Sequence, residues 1–216
     1  MYTWSGLLYV IIDEETVRRN RLNIYNLARK LSSLDIDIFQ FRFHNTEDNT
    51  ALSISIKLSK IFHEKRKIFI VNNRVDLAYL CRADGVHLGE NDISPSFARN
   101  LLGKNKFVGR TIHSYAEFLE VRKSPVDYLS VGPLFSTELK PHLTCCPQQE
   151  IEKILKNANK PIFAVGGITV ENLDKVIEMG FRNIALCRGI ILSQNLEKTV
   201  KLFREKLSSL KKGASN

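Results

Sequence analysis

Short apolar runs and longer amphipathic stretches alternate along this chain from end to end. The runs GLLYVIID (6–13), IDIFQFR (36–42), KIFIVNN (67–73), GVHLG (85–89), KFVGRTI (106–112), DYLSVG (127–132), PIFAVG (161–166) and NIALC (183–187) have the length and the β-branched or aromatic content of strands. Between them RLNIYNLARKLSSL, ALSISIKLSKIFHEK, SPSFARNLLG, SYAEFLEVRK, PQQEIEKILKNA and TVENLDKVIEMG read as helices. The last is expected to start at a Thr169 cap and end at Gly180. Strand interiors that are apolar at nearly every position suit a parallel sheet covered by helices. Eight such units predict one α/β domain over residues 1–216, a single (β/α)8 TIM barrel, with about 211–216 forming a disordered tail. A doubly wound open sheet is the rival, but it would carry a GxGxxG turn after the first strand, where this chain reads LYVIIDEE.

Composition narrows the class. With 216 residues, 44% hydrophobic and 25% charged, the chain can bury one sizeable core. Its net charge of +9 comes from Lys and Arg spread along amphipathic helices, with a local excess at Arg204, Lys206, Lys211 and Lys212. No nucleic-acid motif accompanies that excess, so nucleic acid is not the expected partner. The four cysteines (Cys81, Cys145, Cys146 and Cys187) show no CxxC spacing, which argues against zinc or a disulfide framework and fits a reducing cytoplasm. The opening MYTWSGLLYVIIDEE is too short an apolar run for a signal segment or a membrane span, so a soluble protein is expected. A homo-oligomer stays open.

Chemistry gathers where a barrel places it. Gly166-Gly167-Ile168 follows one apolar run and Cys187-Arg188-Gly189 follows the next, about 20 residues on. Two such turns beside helix starts offer backbone N–H groups to a phosphate at the seventh and eighth strand ends. Other strand ends carry Gln40, Arg42 and His44; Asn72, Asn73 and Arg74; His87, Glu90 and Asp92; Arg110, Thr111 and His113; and Thr137 with Lys140. Any one of these alone would read as a loop residue. Their recurrence on consecutive strands points to one site.

Several segments resemble a known family. Asn72-Asn73-Arg74-Val75-Asp76-Leu77-Ala78, Ala83-Asp84-Gly85-Val86-His87-Leu88-Gly89 followed by Asp92, and Asp127-Tyr128 with Gly132-Pro133-Leu134-Phe135-Ser136-Thr137 and Lys140 are similar to thiamine phosphate synthases and their sisters, the TenI-type thiazole tautomerases. Gly166-Gly167-Ile168 adds a weaker match, shared by many phosphate-binding barrels. The resemblance implies a barrel that joins a pyrimidine pyrophosphate to a thiazole phosphate and releases pyrophosphate with Mg²⁺. It implies that Gln40, Arg42, His44, Asn72 and Lys140 hold the pyrimidine pyrophosphate and that Asp92 and Asn73 stand at the metal. Thr111 and His87 would lie in the pocket, with Arg42, Lys140 and Thr111 serving catalysis. Thr137, Gly166, Gly167, Arg188 and Gly189 would take the thiazole phosphate.

The departures are as informative as the matches. His44 stands where the family carries Lys, and Asn73 where it carries Asp, so the pyrophosphate loses a permanent cation and the metal a carboxylate. Glu90, Thr111, Leu139 and Arg188 replace Gln, Ser, Thr and Ser; Arg188 adds a charge near the thiazole phosphate. GRTIHS (109–114) resembles the tautomerase branch, yet Pro133 stands where that branch uses a His. Three readings follow: synthase, tautomerase with general acid–base groups in place of Mg²⁺, and a non-catalytic binder of thiazole phosphate.

Overall fold

The computed structural model describes residues 4–136 and 144–212. The elements run β1 (Leu8–Asp13), α1 (Glu14–Arg19), α2 (Ile24–Ser32), β2 (Ile38–Arg42), α3 (Asp48–Glu64), β3 (Ile68–Asn72), α4 (Val75–Leu80), β4 (Gly85–Leu88) and α5 (Pro95–Leu102). They continue with β5 (Phe107–Ile112), α6 (Tyr115–Val121), β6 (Tyr128–Val131), α7 (Gln148–Asn157), β7 (Ile162–Val165), α8 (Leu173–Glu178), β8 (Asn183–Leu186), α9 (Arg188–Ile191) and α10 (Leu196–Lys212). The strands close in sequence order into a parallel barrel, with β1 pairing both β2 and β8. The predicted barrel is therefore the observed one.

Two boundaries differ from expectation. Helix α8 begins at Leu173, not after Thr169. Asn172 explains the delay: its Oδ1 accepts from the Thr169 N–H at 2.8 Å and its Nδ2 donates to the Gly167 carbonyl at 2.9 Å, holding the preceding residues in a turn. Helix α10 runs to Lys212, into the stretch expected as a tail; residues 213–216 lie outside the described residues.

Although the strands read as continuous apolar runs, their two faces differ. Leu8, Val10 and Ile12 on β1 and Phe39 and Phe41 on β2 join the large core between barrel and helices, along with Phe69, Val71, Val86, Leu88 and Val108. The alternate positions Tyr9, Ile38, Ile70, Tyr128, Phe163 and Ala185 form a separate cluster inside the barrel. Trp4 closes it from below, stacked on Tyr128 at 5.8 Å and edge-on to Phe107 and Phe163. A Cβ at Gly109 would lie 2.1 Å from Tyr128 Cζ, so the glycine in the middle of β5 makes room for that ring.

A repeated device holds the amino ends of the strands. Asp37, Asp84 and Asp127 stand just before β2, β4 and β6 and accept the backbone N–H of Leu8, Phe69 and Val108, each on the preceding strand. Each aspartate also meets a cation or a histidine: Arg204 with Asp37 at 2.5 Å, His63 with Asp84 at 2.9 Å and Arg99 with Asp127 at 2.5 Å. Arg204 donates further to the carbonyls of Gly6 and Asp35. It is a nearly buried clasp between α10 and the barrel rather than part of a basic surface.

Candidate active site

The carboxyl ends of the strands open into a cavity of about 600 Å³. Because side chains alternate, the inward positions toward that end of each strand face it, and on β2 to β6 they are polar. Gln40, Asn72, His87, Thr111 and Ser130 fill these places, and all line the cavity. One hydrogen-bonded chain joins them through the two tyrosines below. Gln40 Nε2 donates to Asn72 Oδ1 at 2.5 Å, and the Tyr9 hydroxyl donates to Gln40 Oε1 at 2.8 Å. Tyr9 and Tyr128 hydroxyls lie 3.2 Å apart, and Tyr128 Oη is 3.1 Å from His87 Nδ1. His87 Nε2 is 2.7 Å from Thr111 Oγ1, which is 2.9 Å from Ser130 Oγ. Burial, and then the neighbouring hydroxyl of Tyr128, holds the Tyr9 pKa well above the phenol value; burial does the same for Tyr128. Both stay protonated.

Arg42, at the end of β2, reaches Asp13 at the end of β1, with Nη1 2.5 Å from Oδ2. Asp13 is 1% exposed, and its other oxygen accepts from the Thr16 N–H at 2.8 Å and hydroxyl at 2.7 Å, capping α1. Cys187 stands beside this pair: burial, then the Asp13 charge, pushes its thiol up to about 12. As a neutral thiol it forms part of the cavity wall. Sequence reading missed Asp13, Tyr9, Tyr128 and Ser130. Inward alternation along β1 and β6 was the signal that could have found the last three.

Further round the rim, Gly166 and Gly167 have φ of 98° and 65°, which favours glycine. A Cβ on Gly167 would lie 2.7 Å from Phe135 Cβ and 2.8 Å from the Ser136 carbonyl oxygen, and one on Gly189 would lie 2.7 Å from the Ile168 carbonyl oxygen. The loop after β6 and the β7 turn thus demand these glycines for packing, whatever they bind. The N–H groups of Gly167 and Ile168 meet no acceptor among the described residues, and α9 begins at Arg188. His113, past the end of β5, also lines the cavity, with Nδ1 hydrogen-bonded to the Gly132 carbonyl. That bond makes Nδ1 the protonated nitrogen of the neutral ring.

Of the residues expected at the site, Gln40, Arg42, Asn72, His87, Thr111, Gly166, Gly167, Arg188 and Gly189 come together around the cavity. His44 is exposed beyond β2. Asn73 and Asp92 are outside the lining but adjoin the end of β4: the Asn73 N–H donates to the His87 carbonyl, and Asp92 Oδ2 accepts the Gly89 N–H at 2.6 Å. Arg74 is engaged by Asp76 and Asp48, and the outward-pointing Arg110 ties down the carbonyls of Gly89 and Glu90. Thr137 and Lys140 lie outside the described residues. No group of three His, Cys, Asp or Glu suited to a metal exists among the described residues. Asp92 offers a carboxylate and Asn73 a side-chain amide, oxygen donors of the kind a hard cation takes when phosphate and water fill the rest of its shell.

A closed parallel barrel with a polar floor at the carboxyl ends of its strands, and a glycine turn facing a short helix after β8, has the layout of a (β/α)8 enzyme. The chain belongs to the thiamine monophosphate synthase family, whose model matches residues 8–190. The thiamine-phosphate synthase of Lawsonia intracellularis is 33% identical over 200 residues, covering 92% of this chain and 91% of that protein. That of Synechococcus sp. WH7803 is 36% identical over 160 residues, covering 74% of this chain and 45% of its own length. The chain spans about half the length of such cyanobacterial relatives. The thiamine phosphate pyrophosphorylase structure from Pyrococcus furiosus matches the fold with a TM-score of 0.83 over 96% of this chain and 98% of that one, at 24% identity. No helix among the described residues is long and apolar enough to cross a membrane.

Proposed function

We propose that this chain is a thiamine phosphate synthase, joining a hydroxymethylpyrimidine pyrophosphate to a thiazole phosphate with release of pyrophosphate. The observation that carries the reading is the lining of one cavity: a neutral, hydrogen-bonding floor from Gln40 to Ser130, with Arg42 and, beyond β1, the Gly166-Gly167 turn and Arg188 on its rim. The floor suits an uncharged heteroaromatic ring. In the reaction the C–O bond to pyrophosphate breaks with its electron pair on the leaving oxygen, and the thiazole nitrogen lone pair forms the new C–N bond. Charge therefore grows on the leaving group, where Arg42, and Lys140 by family resemblance, stabilise it. Asp13 holds Arg42 in place before any ligand arrives. Thr137, the amides of Gly167 and Ile168, and Arg188 hold the thiazole phosphate. Asp92 and Asn73 would hold Mg²⁺, which supplies neutralisation of the pyrophosphate charge when bound.

His113 supports a second reading. Its ring is in the cavity with Nδ1–H fixed on a carbonyl, which leaves Nε2 able to take up a proton, as a tautomerase acting on a thiazole carboxylate phosphate would require. Two incubations decide between them: pyrimidine pyrophosphate plus thiazole phosphate with Mg²⁺, and the thiazole carboxylate tautomer alone. Thiamine phosphate formed in the first supports the synthase. Isomerisation without condensation overturns it in favour of the tautomerase, and silence in both, with thiazole phosphate still bound, makes the protein a binder.

A further inference from the structure

The hydrogen-bonded chain beneath the cavity has a direction. A carbonyl oxygen can only accept, so with Gln40 Nε2 on Asn72 Oδ1, Gln40 Oε1 takes its proton from Tyr9. Tyr9 has then spent its one hydrogen, and the proton between the tyrosines belongs to Tyr128. Tyr128 has none left for His87, so His87 Nδ1 carries the hydrogen, and in a neutral ring Nε2 is then the acceptor for Thr111 or Ser130. Each group in the line has a single choice once its neighbour has chosen. Reversal at one link would reverse them all, leaving Asn72 with its oxygen, rather than its N–H pair, for a ligand.

We propose that Tyr9 and Tyr128 are positioning residues that set this polarity, and that through it they decide what the floor of the cavity recognises. Resting on the synthase reading, the ligand selected is an aminopyrimidine whose ring nitrogen offers a lone pair, and the ligand rejected is a pyrimidinone whose ring nitrogen carries hydrogen. Three features hold this polarity in place. Tyr9 and Tyr128 are 2% and 1% exposed, so water does not compete for their single hydrogens. Their raised pKa values keep both phenols protonated. Gly109 and the His87–Tyr128 ring stack at 5.5 Å fix the geometry, since any side chain on residue 109 would displace both rings.

The test begins with the histidine, whose readout needs no turnover. In protein labelled with ¹⁵N at histidine, with the His87 signals assigned by loss in His87→Gln, the resting ring is expected as the Nδ1–H tautomer. Finding Nε2–H overturns the assigned direction. Tyr128→Phe, which keeps the ring, and Tyr9→Phe are expected to redistribute the His87 tautomers. Each should raise KM for the aminopyrimidine pyrophosphate about tenfold, the worth of one hydrogen bond, with KM for thiazole phosphate little changed. Binding of the aminopyrimidine and of its 4-oxo analogue, followed by calorimetry, should show wild-type discrimination shrinking in Tyr9→Phe. Discrimination and tautomer both unchanged in Tyr9→Phe overturn the proposal. Should the protein make no thiamine phosphate at all, the synthase reading fails while the tautomer measurement still decides the direction of the chain.

Discussion

Asp13 shows how much a single buried carboxylate can control. It caps α1 with one oxygen and grips Arg42 with the other, at 1% and 14% side-chain exposure. Asp13→Ala strips Arg42 of its partner where little water can replace it, so a loss of about 2–4 kcal/mol in urea unfolding is expected. Asp13→Asn keeps the shape and the cap but weakens the grip; it should fold, with kcat/KM for the pyrimidine pyrophosphate down about tenfold and thiazole phosphate binding intact. Equal losses toward both substrates would move Arg42 away from the leaving group. Asn73 is the complementary case. Its φ of 61° is one that Asn and Asp both tolerate, so Asn73→Asp adds a carboxylate after β3 without new backbone strain. In the synthase reading that change lowers the Mg²⁺ concentration for half-maximal rate several-fold. Wild-type synthase turnover that persists in excess chelator would remove both residues from any metal role.

Among the elements, the strands were legible and their faces only partly so. All eight runs became strands because fully buried parallel strands leave an unmistakable apolar signature. Helices α1, α4 and α10 were not among those read from the sequence; α1 and α4, at six residues each, are too short to show a helical period. The cavity-lining residues at strand ends were legible by their polarity. Tyr9 and Tyr128 were hidden because a tyrosine in an apolar run looks like core, and half of each side chain is core. The aspartate clamps were invisible for another reason: an Asp before a strand reads as a turn residue until its partner N–H on the neighbouring strand is known. They carry their own prediction. Asp127→Ala leaves the Val108 N–H buried without an acceptor and frees Arg99, so unfolding in urea should lose about 1–3 kcal/mol. Asp174→Ala, which breaks only the exposed pair with Lys206, should stay within about 0.5 kcal/mol of wild type. Similar losses in the two variants would deny the clamp its role.

For the molecule as a whole, charge and site give different messages. The chain carries 32 Lys and Arg against 23 Asp and Glu, yet the described cavity holds Arg42, already paired with Asp13, and Arg188 as its arginines. The excess lies elsewhere, much of it on outer helices such as α10, with Arg204 withdrawn into a structural clasp. A diffuse positive field of this kind serves a protein whose proposed substrates both carry phosphate, because it raises their concentration near the surface without binding them. The expected sign is a kcat/KM for either phosphorylated substrate that falls several-fold between low salt and about 0.2 M salt, where the Debye length shrinks to roughly 7 Å, with kcat nearly constant. The double change Lys198→Glu and Lys201→Glu, on α10 and in none of the contacts of the cavity, should flatten that dependence and leave kcat as it was. If kcat/KM instead keeps its full salt sensitivity in the double variant, the dependence belongs to Arg42, Arg188 and their neighbours, and the surface charge serves solubility alone.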